Sequence, residues 1–538
     1  MTDTTTRAQR MRTPLARDAV RKIAEASGAC LRPVQLRRTD TQTGKSETIM
    51  KPCGATLASL CPPCAERAKW LRIAQCREGW HLEDEPDLTP AAPDEMQAYW
   101  LTLRADVQAD RDRAEAAGED TTGLDELAAE LDTEITRAGV RGTVTTEPKD
   151  GKAKARRSRS TRRRQDTAKL PRRKIDARTT GRVYTAPDGK RYRPSMFVTL
   201  TCDSYGKVTG DGTPADPGSY DYQRAARDAL HFAALVDRFV QNLRRTLGYD
   251  VQYYGAVEPQ KRLAPHIHLA IRGSVPRPVL RQVIAATYHQ VWWPPTDTIR
   301  FDGDDLPVWD EATETYLDPA TGEVLTAWDQ ALDAIGPHDA PLHVARFGAR
   351  FDAQGVLAGS KDAKRCIGYL TKYLTRHVAD CHAPDTDPQR AHAARLAAAL
   401  RYEPCSPTCA NWLRYGIQPK NARDGLVPGG CKGKAHRGEH LGYAGRRVLV
   451  SRKWSGKTLK DHKGDGRAWF LHTLGLEPPE PGRYTWHVVT PSDHDHLPAD
   501  KRLLRVVAER ARWQAALTEA KRRAEEPDGN LSAEGIAA

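Results

Sequence analysis

The chain contains no uninterrupted apolar run of about 18 residues, the length a helix needs to cross a bilayer, so no segment is expected to span a membrane. It opens on Met1, Thr2, Asp3 and Thr4, without the apolar core of a secretory signal, which makes the cytoplasm the default compartment. In that reducing setting the eleven cysteines read as thiols or metal ligands rather than disulfides. There is no internal repeat and no glycine-rich phosphate loop, which leaves ATP-driven unwinding without support. What the chain has in excess is positive charge. Lys and Arg number 83 against 70 Asp and Glu, for a formal net charge of +13. Such a field favours a polyanion, because each phosphate neutralised by Lys or Arg releases counterions. Nucleic acid is the expected partner, and a membrane is not.

At about 150 residues per domain, 538 residues imply roughly three or four modules. Residues 1–83 form a Cys-rich module. Residues 84–191 shift to Ala, Glu, Asp and Leu at helical spacing, then to a repulsive basic run from Lys152 to Arg164. This run reads as a flexible arm, with Arg156, Arg157, Arg162 and Arg163 as DNA contacts. Residues 192–380 have the texture of a folded α+β domain. Met196 to Thr201 is strand-like and β-branched, and Asp221 to Leu247 is helical with Gly248 as its stop. Tyr253–Val257 and His266–Ile271 read as a hairpin, followed by a helix near Pro278 to Val291. Asp318 to Gly322 carries turn chemistry inside an inserted β-element, and His343 to Phe351 resumes a strand. Residues 381–470 hold further Cys and His ligands and a basic stretch from Arg446 through Arg452 and Lys453, and residues 471–538 end in a helix from Pro498 to about Glu525.

Within the central domain two patterns carry chemistry. His266 and His268 are separated by one residue in an apolar strand, so both imidazoles leave the same face and can grip one divalent ion. Glu258, on the preceding strand, can add a carboxylate across the hairpin, a set suited to Mg²⁺ or Mn²⁺. Tyr369 and Tyr373 are four apart, which on a helix puts both phenols on one side with Lys372 at the edge. A phenol ionises near pH 10, so a nucleophilic phenoxide needs nearby positive charge, and Lys372 is placed to supply some. Neither pattern alone specifies a site; their conjunction does.

The cysteine clusters read separately. Cys405 and Cys409, then Cys431 and His436, have spacings near those of structural Zn²⁺ sites, with His440 as a rival fourth ligand. Cys61 and Cys64 form a knuckle that Cys30 and Cys53 would complete, with Cys76 and His81 as substitutes. A structural Zn²⁺ would fix small modules that have little apolar core. Cys202, Cys366 and Cys381 read as buried thiols. Trp292, Trp293 and Trp454 are candidate stacking surfaces for unpaired bases, or core residues.

Three stretches, in order, resemble the motifs of HUH-type rolling-circle replication initiators. Phe197 to Gly206 looks like the first motif, a strand in the floor of the active site. Glu258 to His268 looks like the metal-binding motif, and Cys366 to Arg376 like the two-tyrosine motif. The chain from about Cys30 to Trp469 is similar to initiators of actinobacterial plasmids and integrative conjugative elements. The resemblance implies a central antiparallel sheet of HUH type, a ferredoxin- or RRM-like palm with helices, flanked by small Cys/His zinc-binding modules. It implies nicking of one origin strand, a 5′-phosphotyrosyl intermediate, a 3′-OH for a host polymerase, and a host helicase. It ranks Tyr373, which follows Lys372, as first nucleophile and Tyr369 as second. Conjugative relaxases and HUH transposases share the chemistry, but relaxases commonly place their tyrosine before the histidines. A non-catalytic zinc-dependent DNA-binding regulator would leave the tyrosine pair and Glu258 unexplained.

Overall fold

A computed structural model describes residues 6, 14–88, 92–138, 140, 169–170, 184–186, 189–336, 338–382, 384–444, 447–477 and 483–525. The chain divides into two compact units. The first takes residues 1–53, 87–157 and 464–538, and the second takes residues 54–86 and 158–463.

In the first unit, Val34–Asp40 is the middle strand of a three-stranded antiparallel sheet, between Ser46–Lys51 and Tyr484–Val488. Arg37 pairs with Asp495 behind this sheet. The acidic stretch forms two helices, Glu95–Ala117 and Thr122–Arg137, as its periodicity predicts. Val107, Ala128 and Leu131 close their shared apolar seam, and Arg104 reaches Asp132 at 3.0 Å.

The second unit is built on a five-stranded antiparallel sheet. Its strands are β1 (Ser195–Thr201), β2 (Tyr253–Pro259), β3 (Pro265–Arg272), β4 (Asp352–Val356) and β5 (Val448–Val450), in the spatial order β4-β1-β3-β2-β5. Period-two alternation divides the side chains between two faces. Met196, Val198, Leu200, Ile267, Leu269 and Ile271 point to one face and enter the main core. That face is covered by α2 (Tyr222–Leu247), whose Phe232, Leu235, Val236, Phe239 and Leu243 are buried at helical spacing. The Asp221 carboxylate accepts the Arg224 N–H at the start of this helix, and Gly248 ends it at φ 78°. The helix and the hairpin thus follow the sequence expectation.

The opposite face is covered by α1 (Pro62–Trp80) and α4 (Lys361–Thr371). Cys76, Trp80, Phe197, Tyr254, Ala270, Cys366 and Leu370 form its core. Arg272 is fully buried beneath it, with its guanidinium 2.6 Å from Glu85 and hydrogen-bonded to the Gly79 and Trp454 carbonyls.

One expectation is corrected and two are made specific. The helix α3 (Arg277–Ala285) stops short, and Tyr288–Val291 is a strand paired with His343–Arg346, as suits the β-rich Thr-Tyr-His-Gln-Val run. The inserted hairpin is Val308–Asp310 with Thr315–Leu317, and Asp318 to Gly322 forms the turn after it, leading to a Leu317–Val324 bridge. Trp454 is fully buried, with its Nε1 donating to the Gln75 carbonyl at 3.1 Å, so it is a core residue and not a base-stacking surface. Among the described residues no helix is long and apolar enough to cross a membrane.

Candidate active site and metal centres

Register places the metal candidates. Thr201, His266 and Glu258 are direct cross-strand partners in one row, and Thr199, His268 and Ala256 in the next. The Nε2 atoms of His266 and His268 lie 3.1 Å apart, and His268 Nε2 lies 3.2 Å from a Glu258 oxygen. One ligand atom from each residue falls within 4.8 Å of the others. Behind them Thr201 Oγ1 is 2.7 Å from His266 Nδ1, and Thr199 Oγ1 is 3.0 Å from His268 Nδ1. With each Nδ1–H donated to a threonine, both Nε2 lone pairs converge on the carboxylate. Burial, with His268 and Arg262 adding to it, pushes His266 down to about 3, so its ring stays neutral. Two imidazoles and a carboxylate aimed at one point fit a divalent cation.

Phe197 stacks on His268 at 5.3 Å and 13° and fixes the plane of that ring. On the other side the Tyr369 ring lies 6.2 Å from His268, with half of the residue exposed. The two tyrosines do not share one helix as expected. Helix α4 closes at Thr371, Lys372 is its C-cap, and Tyr373 stands in the following turn. The chain tightens there because hydrogen bonds from Lys372, Leu374 and Arg376 reach back three residues, and Arg447 takes the carbonyls of Tyr373 and Arg376. Lys372 Nζ lies 4.8 Å from the Tyr373 ring centre. A hydrogen bond with Tyr373, then the charges of Tyr373, Glu258 and Tyr369, hold its ammonium above the ordinary lysine range.

The second metal centre lies wholly in the second unit. Cys405, Cys409, Cys431 and His436 bring their ligand atoms within 4.8 Å of one another. Here His436, not His440, completes the set. His436 Nδ1 is 2.8 Å from the Leu400 carbonyl, which leaves Nε2 to face the sulfurs, 3.5 Å from Cys409. Hydrogen bonding from Cys405 and Cys409 pushes the Cys431 thiol far down. Three sulfurs and one imidazole suit a tetrahedral ion such as Zn²⁺. Gly433 forms one wall; a Cβ there would stand 3.2 Å from the Cys405 sulfur and 3.4 Å from that of Cys431.

Of the N-terminal cysteines, Cys30 and Cys53 lie in the first unit, where the Cys53 N–H donates to the Cys30 sulfur at 3.2 Å. Cys61 caps α1 in the second unit, and Cys64 follows in its first turn. Cys76 is buried in the core against Trp80, and His81 stacks on that same indole at 5.3 Å. Cys202 and Cys366 are buried thiols. The side chain of Cys381 and the arm residues Arg156, Arg157, Arg162 and Arg163 lie outside the described residues. Arg452 is exposed and Lys453 half-buried, in the segment after β5. Trp292 and Trp293 are partly buried against the Trp412 core.

Sequence reading put Phe197, Thr199 and Thr201 in the strand of the first motif but gave their side chains no separate roles, although their i, i+2 spacing on β1 matches that of the two histidines on the strand beside it. The Leu400 carbonyl, which plays the same orienting part for His436, left no sequence signal.

The sheet, the three-residue cluster and the tyrosine turn describe an α+β protein whose candidate metal ligands come from neighbouring strands. Residues 16–509 match the family described as RepSA, replication initiator protein of pSAM2, and the chain belongs to that family of plasmid replication initiators. That role implies DNA at an origin as the partner. No curated protein and no solved structure matches the chain.

Proposed function

We propose that this initiator is a metal-dependent endonuclease and strand transferase of HUH type that starts rolling-circle replication by nicking one origin strand. The observation that carries the reading is the convergence of Glu258, His266 and His268 within 4.8 Å beside the exposed Tyr369 ring. The phenolic oxygen attacks phosphorus, the P–O3′ bond breaks, the phenolic proton passes to solvent, and the 3′ oxygen takes a proton from water. The products are a 5′-phosphotyrosyl linkage and a 3′-OH for a host polymerase, with a host helicase opening the duplex. Mg²⁺ or Mn²⁺ held by the three ligands would neutralise charge on the scissile phosphate as a Lewis acid. Lys372 lies 4.8 Å from the Tyr373 ring centre and brings a positive charge to the tyrosine turn.

We place the two tyrosines in the reverse of the order that the resemblance implies. Tyr369 takes the first place because its ring borders His268, and Tyr373 is held in reserve under Lys372 to close the circle. The Cys405, Cys409, Cys431 and His436 set holds structural Zn²⁺, and ligand spacing alone supports a second Zn²⁺ on Cys30, Cys53, Cys61 and Cys64. Arg156, Arg157, Arg162, Arg163, Arg452 and Lys453 add contacts to the origin of an actinobacterial element in the cytoplasm. The test is nicking of a supercoiled, internally radiolabelled origin plasmid with Mn²⁺, followed by nuclease digestion and peptide mapping of the labelled adduct. The label should map to Tyr369, and Tyr369→Phe with Tyr373→Phe should abolish it. Full nicking by the double variant would refute the tyrosine mechanism.

A further inference from the structure

A cleft of about 690 Å³ in the second unit opens on the C-terminal side of the tyrosine turn. Its walls come from α1, from the turn itself and from the loop that carries His436. Six cationic side chains line it, Lys69, Arg72, Arg376, Lys434, Arg437 and Arg447, against one carboxylate, Glu439. The floor is apolar, with Leu57, Leu60, Leu71, Leu374 and Val448. Arg447 is committed to the backbone, since it holds the Tyr373 and Arg376 carbonyls. Lys69 is 3.8 Å from Glu66, and Arg72 bonds Gln75. Arg376, Lys434 and Arg437 are exposed and make no ion pair among the described residues. Arg376 lies 5.7 Å from the Tyr373 ring centre, so this unneutralised charge begins at a phenol.

We propose that the cleft binds the sugar-phosphate backbone of single-stranded DNA leading to the tyrosine turn, and that the Cys/His centre, by fixing the loop, positions Lys434 and Arg437 on the strand. The proposal rests on the nuclease reading. Cations of one sign around a confined site select a polyanion, and an apolar floor between them suits a strand whose bases are unpaired rather than a duplex. Lys434 and Arg437 lie two residues before and one after the ligand His436, so that ordering the ligand orders both charges.

The test measures binding without cleavage. The full chain carrying Tyr369→Phe and Tyr373→Phe, loaded with zinc and without added Mg²⁺ or Mn²⁺, is titrated with a labelled mixed-sequence single strand at several salt concentrations. Adding Arg376→Gln, Lys434→Gln and Arg437→Gln should lower the salt slope by about 2 and weaken binding by about 10–50-fold, from about 0.7 per lost phosphate contact. Lys501→Gln, Arg512→Gln and Lys521→Gln, three exposed positions of the last helix, remove the same charge and should leave the slope unchanged. Equal losses in the two triple variants overturn the proposal, and so does a greater loss for a duplex of the same length. If the first triple variant loses zinc, Lys69→Gln with Arg376→Gln carries the test, with an expected slope change of about 1.4. Failure of wild type to form a 5′ adduct would sink the nuclease reading and leave the slope result standing. An adduct with an unchanged slope would sink the cleft alone.

Discussion

The threonines behind the histidines offer the sharpest test of the metal clamp. Thr199→Val and Thr201→Val keep the β-branched shape that suits a strand and delete only the hydroxyl. Each removes one hydrogen bond to an imidazole Nδ1, at 3.0 Å for His268 and 2.7 Å for His266. The loss to folding should be about 1 kcal/mol. The larger effect falls on the ligand, because a partner on Nδ1 fixes the tautomer and the ring orientation, and its removal commonly costs about 10–100-fold in metal affinity or activity. The two sites are not equal. Gln260 Nε2, a donor, stands 3.4 Å from both Thr201 Oγ1 and His266 Nδ1, so when Thr201 is lost it favours an unprotonated Nδ1 and moves the His266 proton to Nε2, the ligand atom. His268 keeps its stacking on Phe197. Thr201→Val is therefore expected to shift the Mn²⁺ concentration for half-maximal nicking further than Thr199→Val, toward about 100-fold, with the rate recovering at saturating Mn²⁺. Metal titrations of plasmid nicking, with thermal melts as a folding control, measure this. An unchanged Mn²⁺ midpoint in both variants would refute the arrangement of threonine, imidazole and ion.

Three further outcomes follow from other parts of the second unit. Burial, with His289, His343 and Arg227 adding to it, holds His231 down to about 3, and burial holds His289 down to about 4. Both folded values lie below the unfolded value near 6.5, so the stability they carry is complete above pH 6.5 and is lost as pH falls. At pH 5 the loss should be about 2 kcal/mol for each ring, and denaturant melts of His231→Leu should lose about half of that pH dependence. Cys431→Ser removes one sulfur from the Cys/His centre and should lower zinc content by about one ion per chain, read by metal analysis of purified protein. A Cβ at Gly79 would stand 2.3 Å from the Trp454 ring and 2.4 Å from its carbonyl, so Gly79→Ala should cost about 3 kcal/mol in a denaturant titration.

The parts of the fold that could be read from the sequence are those where one period persists. The apolar spacing of residues 222–247, with Asp221 and Gly248 at its ends, specifies α2 without tertiary information. The alternation in residues 253–271 specifies the hairpin, and His-x-His with Glu258 then follows from its register. The short elements were harder. Tyr288–Val291 spans four residues, too few for alternation to outweigh the helical pattern just before it. The end of α4 was hidden for another reason: Arg447, distant in sequence, takes the carbonyls that a continued helix would have used. The Leu400 carbonyl that orients His436 belongs to every residue's backbone and leaves no mark in a sequence. Ligand types and spacings were thus legible, while the groups that aim the ligands were legible only where they were side chains on a paired strand.

The clamp lies where the sheet face changes character. The row formed by Phe197, Ala270 and Tyr254 is apolar and sealed under α1 and α4. One row on, Thr199, His268 and Ala256 mix apolar and polar groups, with Phe197 still stacked on the imidazole. The last row, Thr201, His266 and Glu258, is polar throughout. Leu370 is buried in the seal while its neighbour Tyr369 is half exposed, so the edge of the helical cover runs between adjacent residues of α4. The packing that stabilises the domain thereby also sets the distance between the phenol and the imidazoles. A one-residue slip of β3 would turn Ile267 and Leu269 toward the tyrosine and bury both histidines against α2. The apolar residues on the reverse of the strand, packed in one core with the buried side chains of α2, oppose that slip and hold the candidate metal ligands in register.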